Sequence, residues 1–231
     1  MKGLAFDVLG TVGHFRRPDT TATQLTYPFI TPTAAKGLVG AILGIEDFVT
    51  TDRVGIELLR PVRTVAQQMS MLGKDPGSTF NRPTTIELLV NPGYRIYYTG
   101  EEYTEQLLDF LTGERAVYTT YLGTAYALTK PILYRVYPEV SYPVAEGKEI
   151  EMRTVVPTAL IREIVLKADR YYCRAGGYLY EYKGQRTFEK SVDFLYEKDG
   201  KPIAFIPKSD DLDSPLDLRV AQFGEDLVCL V

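Results

Sequence analysis

Two stretches decide the fold: Leu4-Ala5-Phe6-Asp7-Val8-Leu9, and, after a loop, Thr31-Pro32-Thr33-Ala34-Ala35-Lys36-Gly37-Leu38-Val39-Gly40-Ala41-Ile42-Leu43-Gly44. In the first, Leu4, Phe6 and Val8 alternate with other residues, the period of a strand buried on one face. In the second, Thr31 is a helix cap and Pro32 a first-turn proline. Ala35, Leu38, Val39, Ile42 and Leu43 then fall on one helical stripe, and Gly44 is a fitting terminator. A strand followed by a helix opens the chain, and the rest follows from what alternates next.

Val54, Ile56 and Leu58 mark a second strand. Thr84 to Val90 marks a third, which Tyr94 to Tyr98 continues or re-enters after Pro92-Gly93. Thr99-Gly100-Glu101-Glu102 has the form of a capping box ahead of a helix lined by Leu107, Leu108 and Leu111 and stopped at Gly113. Ile132 to Tyr137 is a fourth strand. The order strand, helix, strand, strand, helix, strand predicts an α+β fold whose N-terminal domain is ferredoxin-like (RRM-like, βαββαβ), with an antiparallel sheet and both helices on one face. Residues 1–137 form that domain. Residues 138–231 form a smaller β-rich part, with strands expected at Ile150–Val156, Arg162–Leu166, Tyr178–Tyr182, Val192–Tyr196 and Ile203–Ile206. Asp199-Gly200 is expected to turn a hairpin between the last two. Asp210, Asp211 and Asp213 lie in an expected loop, and Leu227 to Val231 is a closing apolar run.

Composition narrows the function. Of the 231 residues, 45% are hydrophobic and 24% charged, which excludes a disordered chain. Two cysteines and one histidine exclude a disulfide framework, a three-histidine metal site and any mechanism needing two imidazoles. No cofactor or metal is expected. No apolar run approaches the roughly 20 residues of a membrane helix, and the first residues do not form a signal peptide. A cytoplasmic protein with no membrane partner is the simplest fit. The net charge is −4, but residues 1–100 carry ten Lys or Arg against eight Asp or Glu, and seven of those ten are arginines. Arginine donates two parallel hydrogen bonds to a phosphate. The pattern fits a local basic groove on an acidic body, or an evenly solvated surface.

Several segments carry candidate chemistry. Gly13-His14-Phe15-Arg16-Arg17-Pro18 combines a glycine for close approach, an aromatic ring and three donors suited to phosphates. The plainer reading is a surface turn with scattered charges. Thr26-Tyr27-Pro28-Phe29 leads into the helix that carries Lys36, an arrangement that suits either an anion or simple packing. Residues 65–83, with Gln67, Gln68, Met69, Met71 and Arg82, form a long polar connection without clear periodicity, containing Asp75-Pro76-Gly77. Amides, apolar wedges and a cation could reach across an RNA strand, or the segment could be an ordinary exposed loop. Gly93-Tyr94-Arg95-Ile96-Tyr97-Tyr98 faintly resembles the aromatic strand of an RNA-recognition motif, although aromatics on a strand more often fill a core. For catalysis, only metal-free RNA cleavage by His14, Lys36 and Tyr27 has any basis.

Five blocks in order carry a family resemblance. They are Gly13 to Pro18 after the first strand, Leu25-Thr26-Tyr27-Pro28-Phe29, the Gly37 to Gly44 helix, Asn91-Pro92-Gly93-Tyr94-Arg95-Ile96, and Tyr121-Leu122-Gly123. The chain resembles the Cas-five family of CRISPR-associated RAMP proteins over residues 1 to about 137, in a style most like subtype I-B or I-A. The resemblance implies a non-catalytic subunit of a type I Cascade surveillance complex, acting in antiviral defence. It would bind the 5′ handle of the CRISPR RNA and cap the backbone filament, beside a Cas-seven backbone subunit and the large subunit, with target DNA a further candidate partner. His14, Arg16 and Arg17 would contact the handle. Gln24, Thr26, Tyr27 and Lys36 would form the adjoining wall. Arg60, Arg63, Gln67, Gln68 and Arg82 would belong to a thumb at 65–83 and its base. One branch of the family cleaves precursor RNA with a tyrosine and an adjacent lysine–histidine pair. Here His14 stands between Gly13 and Phe15, a departure from that pattern. A processing endoribonuclease and a purely protein–protein assembly module remain the alternative readings.

Overall fold

The computed structural model describes residues 1–72, 81–143, 147–208 and 218–231. In chain order the elements are β1 (Gly3–Leu9), β2 (Val12–Gly13), α1 (Pro32–Leu43), β3 (Arg53–Leu58), β4 (Thr64–Leu72), β5 (Asn81–Val90), β6 (Gly93–Thr99), α2 (Thr104–Thr112), β7 (Ile132–Tyr137) and β8 (Val140–Ser141). They continue with β9 (Ile150–Met152), β10 (Val156–Pro157), β11 (Ile161–Val165), β12 (Tyr172–Leu179), β13 (Ser191–Glu197), β14 (Ile203–Pro207), β15 (Arg219–Phe223) and β16 (Asp226–Leu230). A single 3₁₀ turn covers Thr158–Leu160.

The central sheet has the order β3-β6-β1-β7, antiparallel throughout. Alternation along its strands divides the side chains between two cores. Leu4, Phe6, Val8, Val54, Ile56, Ile96 and Tyr98 join the helix residues Ala35, Leu38, Ile42, Leu107 and Leu111 in one buried cluster. Ala5 and Tyr97, pointing the other way, pack with Tyr137, Phe223, Val228 and Leu230. Both faces are therefore covered. Helix α1 forms as its sequence dictates. Thr31 Oγ1 accepts from Ala34 N at 3.0 Å, Pro32 opens the first turn, and Gly44 closes it at φ +77°. Such a cap is worth about 1 kcal/mol.

Helix α2 departs from expectation. Its cap residue is Tyr103, without a side-chain bond, and Thr99 ends β6 instead of opening a capping box. The acceptor comes from elsewhere: the buried Asp52 carboxylate accepts from Glu102 N at 3.1 Å and from Tyr103 N at 2.8 Å. Glu102 is turned away and accepts from Thr51. A capping box needs the hydroxyl and the carboxylate on one turn, and here the approach of β3 supplies a better carboxylate.

The connection at 65–83 also differs. Residues 64–72 and 81–90 pair as a hairpin with nine register positions, and β2 adds to its far side. The sheet strand expected at Thr84–Val90 is thus a hairpin strand, and Gly93–Thr99 takes the place in the central sheet. The hairpin hid its periodicity because most of β4 is exposed on both faces, so nothing enforces alternation. The Asp75-Pro76-Gly77 turn lies outside the described residues.

The β-rich part is three small sheets, of orders β10-β13-β12, β11-β14-β9 and β16-β15-β8. Asp199-Gly200 does turn the chain, with Gly200 at φ +77°, but it makes no hairpin. β13 pairs with β10 and β12, while β14 pairs with β9 and β11. A Cβ on Gly200 would stand 2.4 Å from the Leu58 carbonyl oxygen, so the turn is pressed onto β3, and the two strands diverge from there. The strand expected at 178–182 lies at 172–179, because a bulge at Gly176-Gly177 breaks its alternation. The expected aspartate-rich loop, 207–215, falls mostly outside the described residues.

The 137/138 boundary is crossed by a shared core. Tyr178, Tyr180, Phe194 and Tyr196 belong to the same buried cluster as α1 and β1. The outer edge of β3 is closed by backbone bonds to Val231 and Val155: Val54 N to Val231 O, Val231 N to Val54 O, and Val155 N to Ile56 O. Among the described residues no helix is long and apolar enough to cross a membrane.

Candidate nucleic-acid interface

The segment after β1 runs back along the hairpin. Val12 and Gly13 pair with Val90 and Leu89, Arg16 bridges Thr26, and Gln24 bridges Ile86 in parallel. Gln24 is thus held by its backbone, with Gln24 N donating to Thr85 O and Glu87 N donating to Gln24 O. The loop between β1 and α1 is a strip laid on β5, which gathers Arg16, Arg17, Gln24, Thr26 and Tyr27 at the hairpin's base.

Within that strip the side chains divide into framework and surface. Thr26 is buried, and its hydroxyl accepts from Phe15 N at 2.9 Å and donates to Tyr27 O at 2.9 Å. Tyr27 is buried too. Its hydroxyl donates to Gly177 O at 2.6 Å, and its ring lies 4.2 Å from that of Tyr178. Phe29 extends this cluster onto Tyr178, Phe194 and Tyr196. His14, expected to contact the handle, is only 6% exposed. The Glu87 carbonyl can only accept, so His14 Nδ1 carries the proton and donates to it at 2.8 Å. Nε2 is then buried without a partner. Gly123 presses on the same turn. It sits at φ +79°, and a Cβ there would stand 2.2 Å from the His14 carbonyl oxygen.

A groove of about 910 Å³ opens between this strip, the hairpin base and the β12–β13 sheet. Four cations line it: Arg17, Arg63, Arg174 and Lys198, with Glu87 the one carboxylate in the wall. Two of the four are engaged. Arg17 forms a bidentate pair with Asp19 at 3.1 and 2.6 Å, which raises its pKa further and lowers that of Asp19. Arg174 binds Asp193 at 2.6 Å. That carboxylate also accepts from Gly177 N at 2.9 Å in the bulge, and its pKa falls below the ordinary range, chiefly through the Arg174 bond. Arg63 and Lys198 are exposed and make no ion pair among the described residues. Glu87 accepts from Thr26 N at 3.1 Å.

The other expected residues fall in three places. Arg16 is exposed beside the groove, its guanidinium 3.5 Å from Thr20 O. Gln67, Gln68 and Arg82 are exposed on the hairpin. Arg60 is exposed and reaches Asn91 O at 3.5 Å. Lys36 is separated from all of these and lines a second cavity between α1 and residues 180–190, so it forms no wall with Tyr27. Tyr94, Tyr97 and Tyr98 are core residues, not stacking platforms. Arg95 is held between Asp7, at 2.8 and 3.0 Å, and Glu57, at 3.9 Å, with its guanidinium over the Tyr134 ring. Sequence reasoning missed Arg174, Lys198 and the Gly176-Gly177 bulge. The paired glycines were the available signal. Among the described residues no three His, Cys, Asp or Glu side chains cluster as a metal ion would need.

A family model described as CRISPR-associated protein (Cas_Cas5) matches residues 3–82. Residues 3–82 are thus similar to the Cas-five family. That region spans β1, α1, β3 and the first hairpin strand, and so contributes the strip and one side of the groove. No curated protein matches the chain. Solved structures extend the fold beyond the Cas-five region. A chain of a structure titled "CRISPR RNA-guided surveillance complex" is similar at a TM-score of 0.56 and 14% identity, covering 89% of this chain and 91% of its own. "Crystal structure of a CRISPR protein from Archaeoglobus fulgidus" is similar at a TM-score of 0.57 and 13% identity, covering 99% and 98%. The β-rich part that supplies Arg174 and Lys198 is therefore part of the shared fold.

Proposed function

We propose that the protein is a non-catalytic RNA-binding subunit of a type I CRISPR surveillance complex, holding the 5′ handle of the CRISPR RNA in the Arg17–Arg63–Arg174–Lys198 groove. The observation that carries this is the pair of exposed cations without an ion pair, Arg63 and Lys198, held side by side where Val62 N donates to Lys198 O at 2.8 Å, in an open groove of a chain whose net charge is negative. Phosphates supply affinity and register in such a groove. The sheet order β3-β6-β1-β7 supports reading the N-terminal part as ferredoxin-like, with the β4–β5 hairpin as its thumb. In the assembly the protein caps the filament beside the Cas-seven backbone protein and the large subunit.

The separation of the three groups a metal-free ribonuclease would need supports the non-catalytic reading. Tyr27 donates to Gly177, His14 is buried against Glu87, and Lys36 lines another cavity. General acid–base catalysis needs such groups within reach of one phosphate.

The test is Arg63→Ala with Lys198→Ala in the assembled complex. Handle-RNA occupancy should fall several-fold while the far-ultraviolet spectrum and melting stay unchanged. Unchanged occupancy would refute the groove. A specific, metal-independent cut in repeat RNA by the purified protein would refute the non-catalytic role.

A further inference from the structure

The cavity that takes Lys36 has no place in the function proposed above. It encloses about 810 Å³ between the first turn of α1, the 47–53 segment and residues 180–190. That lies within the roughly 300–1,000 Å³ of small-molecule sites. Four aromatic residues, Phe48, Tyr180, Tyr182 and Phe188, line it. Phe188 and Val49 are exposed at 36% and 44%. The Tyr182 and Phe188 rings lie 5.2 Å apart, tilted by 44°, and both line the cavity.

The charges are not evenly matched. Three carboxylates line the cavity, and each is engaged. Asp47 accepts from the Tyr182 hydroxyl and from Gln185 N, Glu102 accepts from Thr51, and Glu181 binds Lys183 at 2.6 Å and Lys190 at 2.7 Å. Lys36 and Arg186 make no ion pair or side-chain hydrogen bond among the described residues. Lys36 is partly buried, and its ammonium has given up water without gaining an acceptor. Desolvation, and then the nearby Arg53, bring its pKa down to about 8, against the weaker pull of Asp52, Glu181 and Glu102. An ammonium left in that condition lacks an anion. The rings around it favour an anion attached to something planar.

We infer that this cavity binds a nucleotide, its base against the Tyr182–Phe188 wall and its phosphate on Lys36 and Arg186. The inference does not rest on the RNA groove, which shares none of these residues. The nucleotide is either free or the 5′-phosphorylated end of a strand, since both present the same ring and phosphate. Binding an anion restores the charged form of Lys36, so the site takes up a proton on binding above pH 8. The other charged groups around the cavity are Arg53, Lys183, Arg186, Lys190, Asp47, Asp52, Glu102 and Glu181.

The experiment titrates the full chain calorimetrically with AMP, UMP, inorganic phosphate and a 5′-phosphorylated tetranucleotide, at pH 7 and pH 9.5. A nucleotide or the tetranucleotide should bind at least about ten-fold more tightly than phosphate alone, and more weakly at pH 9.5 than at pH 7. Lys36→Met and, separately, the exposed Phe188→Ala should each cost about ten-fold in affinity. The Arg63→Ala, Lys198→Ala double variant should leave AMP and UMP binding unchanged, which separates this site from the groove. Binding of the tetranucleotide alone assigns the site to a strand end; binding of AMP or UMP assigns it to free nucleotides. No binding by any of them, phosphate binding as tightly as the nucleotides, or binding indifferent to both variants would overturn the inference.

Discussion

Single residues do several jobs that their own segments could not. Asp52 is the clearest case: one buried carboxylate accepts from the Tyr98 hydroxyl at 2.8 Å and from the two backbone amides ahead of α2. Asp52→Ala strands three donors, each costing about 1–3 kcal/mol if left unpaired. Urea unfolding should show a loss of about 2–4 kcal/mol, and a loss under 1 kcal/mol would contradict the assignment. Lys36 works the other way. Its amine titrates near 8 in the folded chain against an ordinary 10.5. The unfolded chain therefore binds more protons between those values, and this residue's contribution to stability rises as pH climbs from 8 to 10.5. Lys36→Met should raise the melting temperature at pH 7, with the gain shrinking by pH 10.5. Melts identical at pH 7 would show that the ammonium is solvated after all. Gly123 is constrained by space as well as by φ, so Gly123→Ala should push on the His14 turn and lower stability in thermal melts.

At the scale of elements, legibility followed burial. Helix α1 was readable to its last residue because cap, proline, apolar stripe and terminating glycine all agreed. Strands β1 and β3 were readable because the core enforces their alternation or their apolar content, whereas β7 was readable from its apolar and aromatic residues although only Tyr137 is buried. Strand β5 was read from Thr84 to Val90, where Ile86, Leu88 and Leu89 are buried, but was assigned to the central sheet. Strand β4 was not readable, since its exposed faces place no demand on residue type. Neither was β12, where the Gly176-Gly177 bulge shifts the register, nor the divergence after Gly200, where sheet partners and not the turn decide. Among site residues, Arg16, Arg17, Gln24, Thr26 and Tyr27 do come together at the hairpin base. Lys36 was misplaced because its chemistry says nothing about which side of α1 it faces. The burial of His14 was not legible, because a buried histidine and an exposed one look alike in one sequence. The hairpin's exposed polar side chains make their own prediction. Gln67→Ala, Gln68→Ala and Arg82→Ala together should leave urea unfolding within about 0.5 kcal/mol, as surface changes do. RNA affinity of the same variant should drop several-fold, and an undiminished affinity would remove the hairpin from the interface.

At the scale of the molecule, the groove exists only because two regions of the chain are joined by one core. Tyr27 and Phe29, from the strip, are sealed into the aromatic cluster of β12 and β13. This holds Arg174 and Lys198 in the same groove as Arg63, with Val62 N donating to Lys198 O at 2.8 Å. An acidic protein can thus carry a short cationic channel without being basic overall. Its RNA affinity should fall with salt, and each lost phosphate contact should lower the slope of log K against log salt by roughly 0.7 for a single strand. Removing Arg63 and Lys198 should flatten the slope accordingly. Photocrosslinking tests the central claim most directly. Handle RNA bearing 4-thiouridine is crosslinked in the assembled complex, and the attached peptides are mapped by mass spectrometry. The account predicts adducts within residues 16–27, around Arg63 and between Arg174 and Lys198. Adducts confined to other surfaces, with those three segments unmarked, would contradict it.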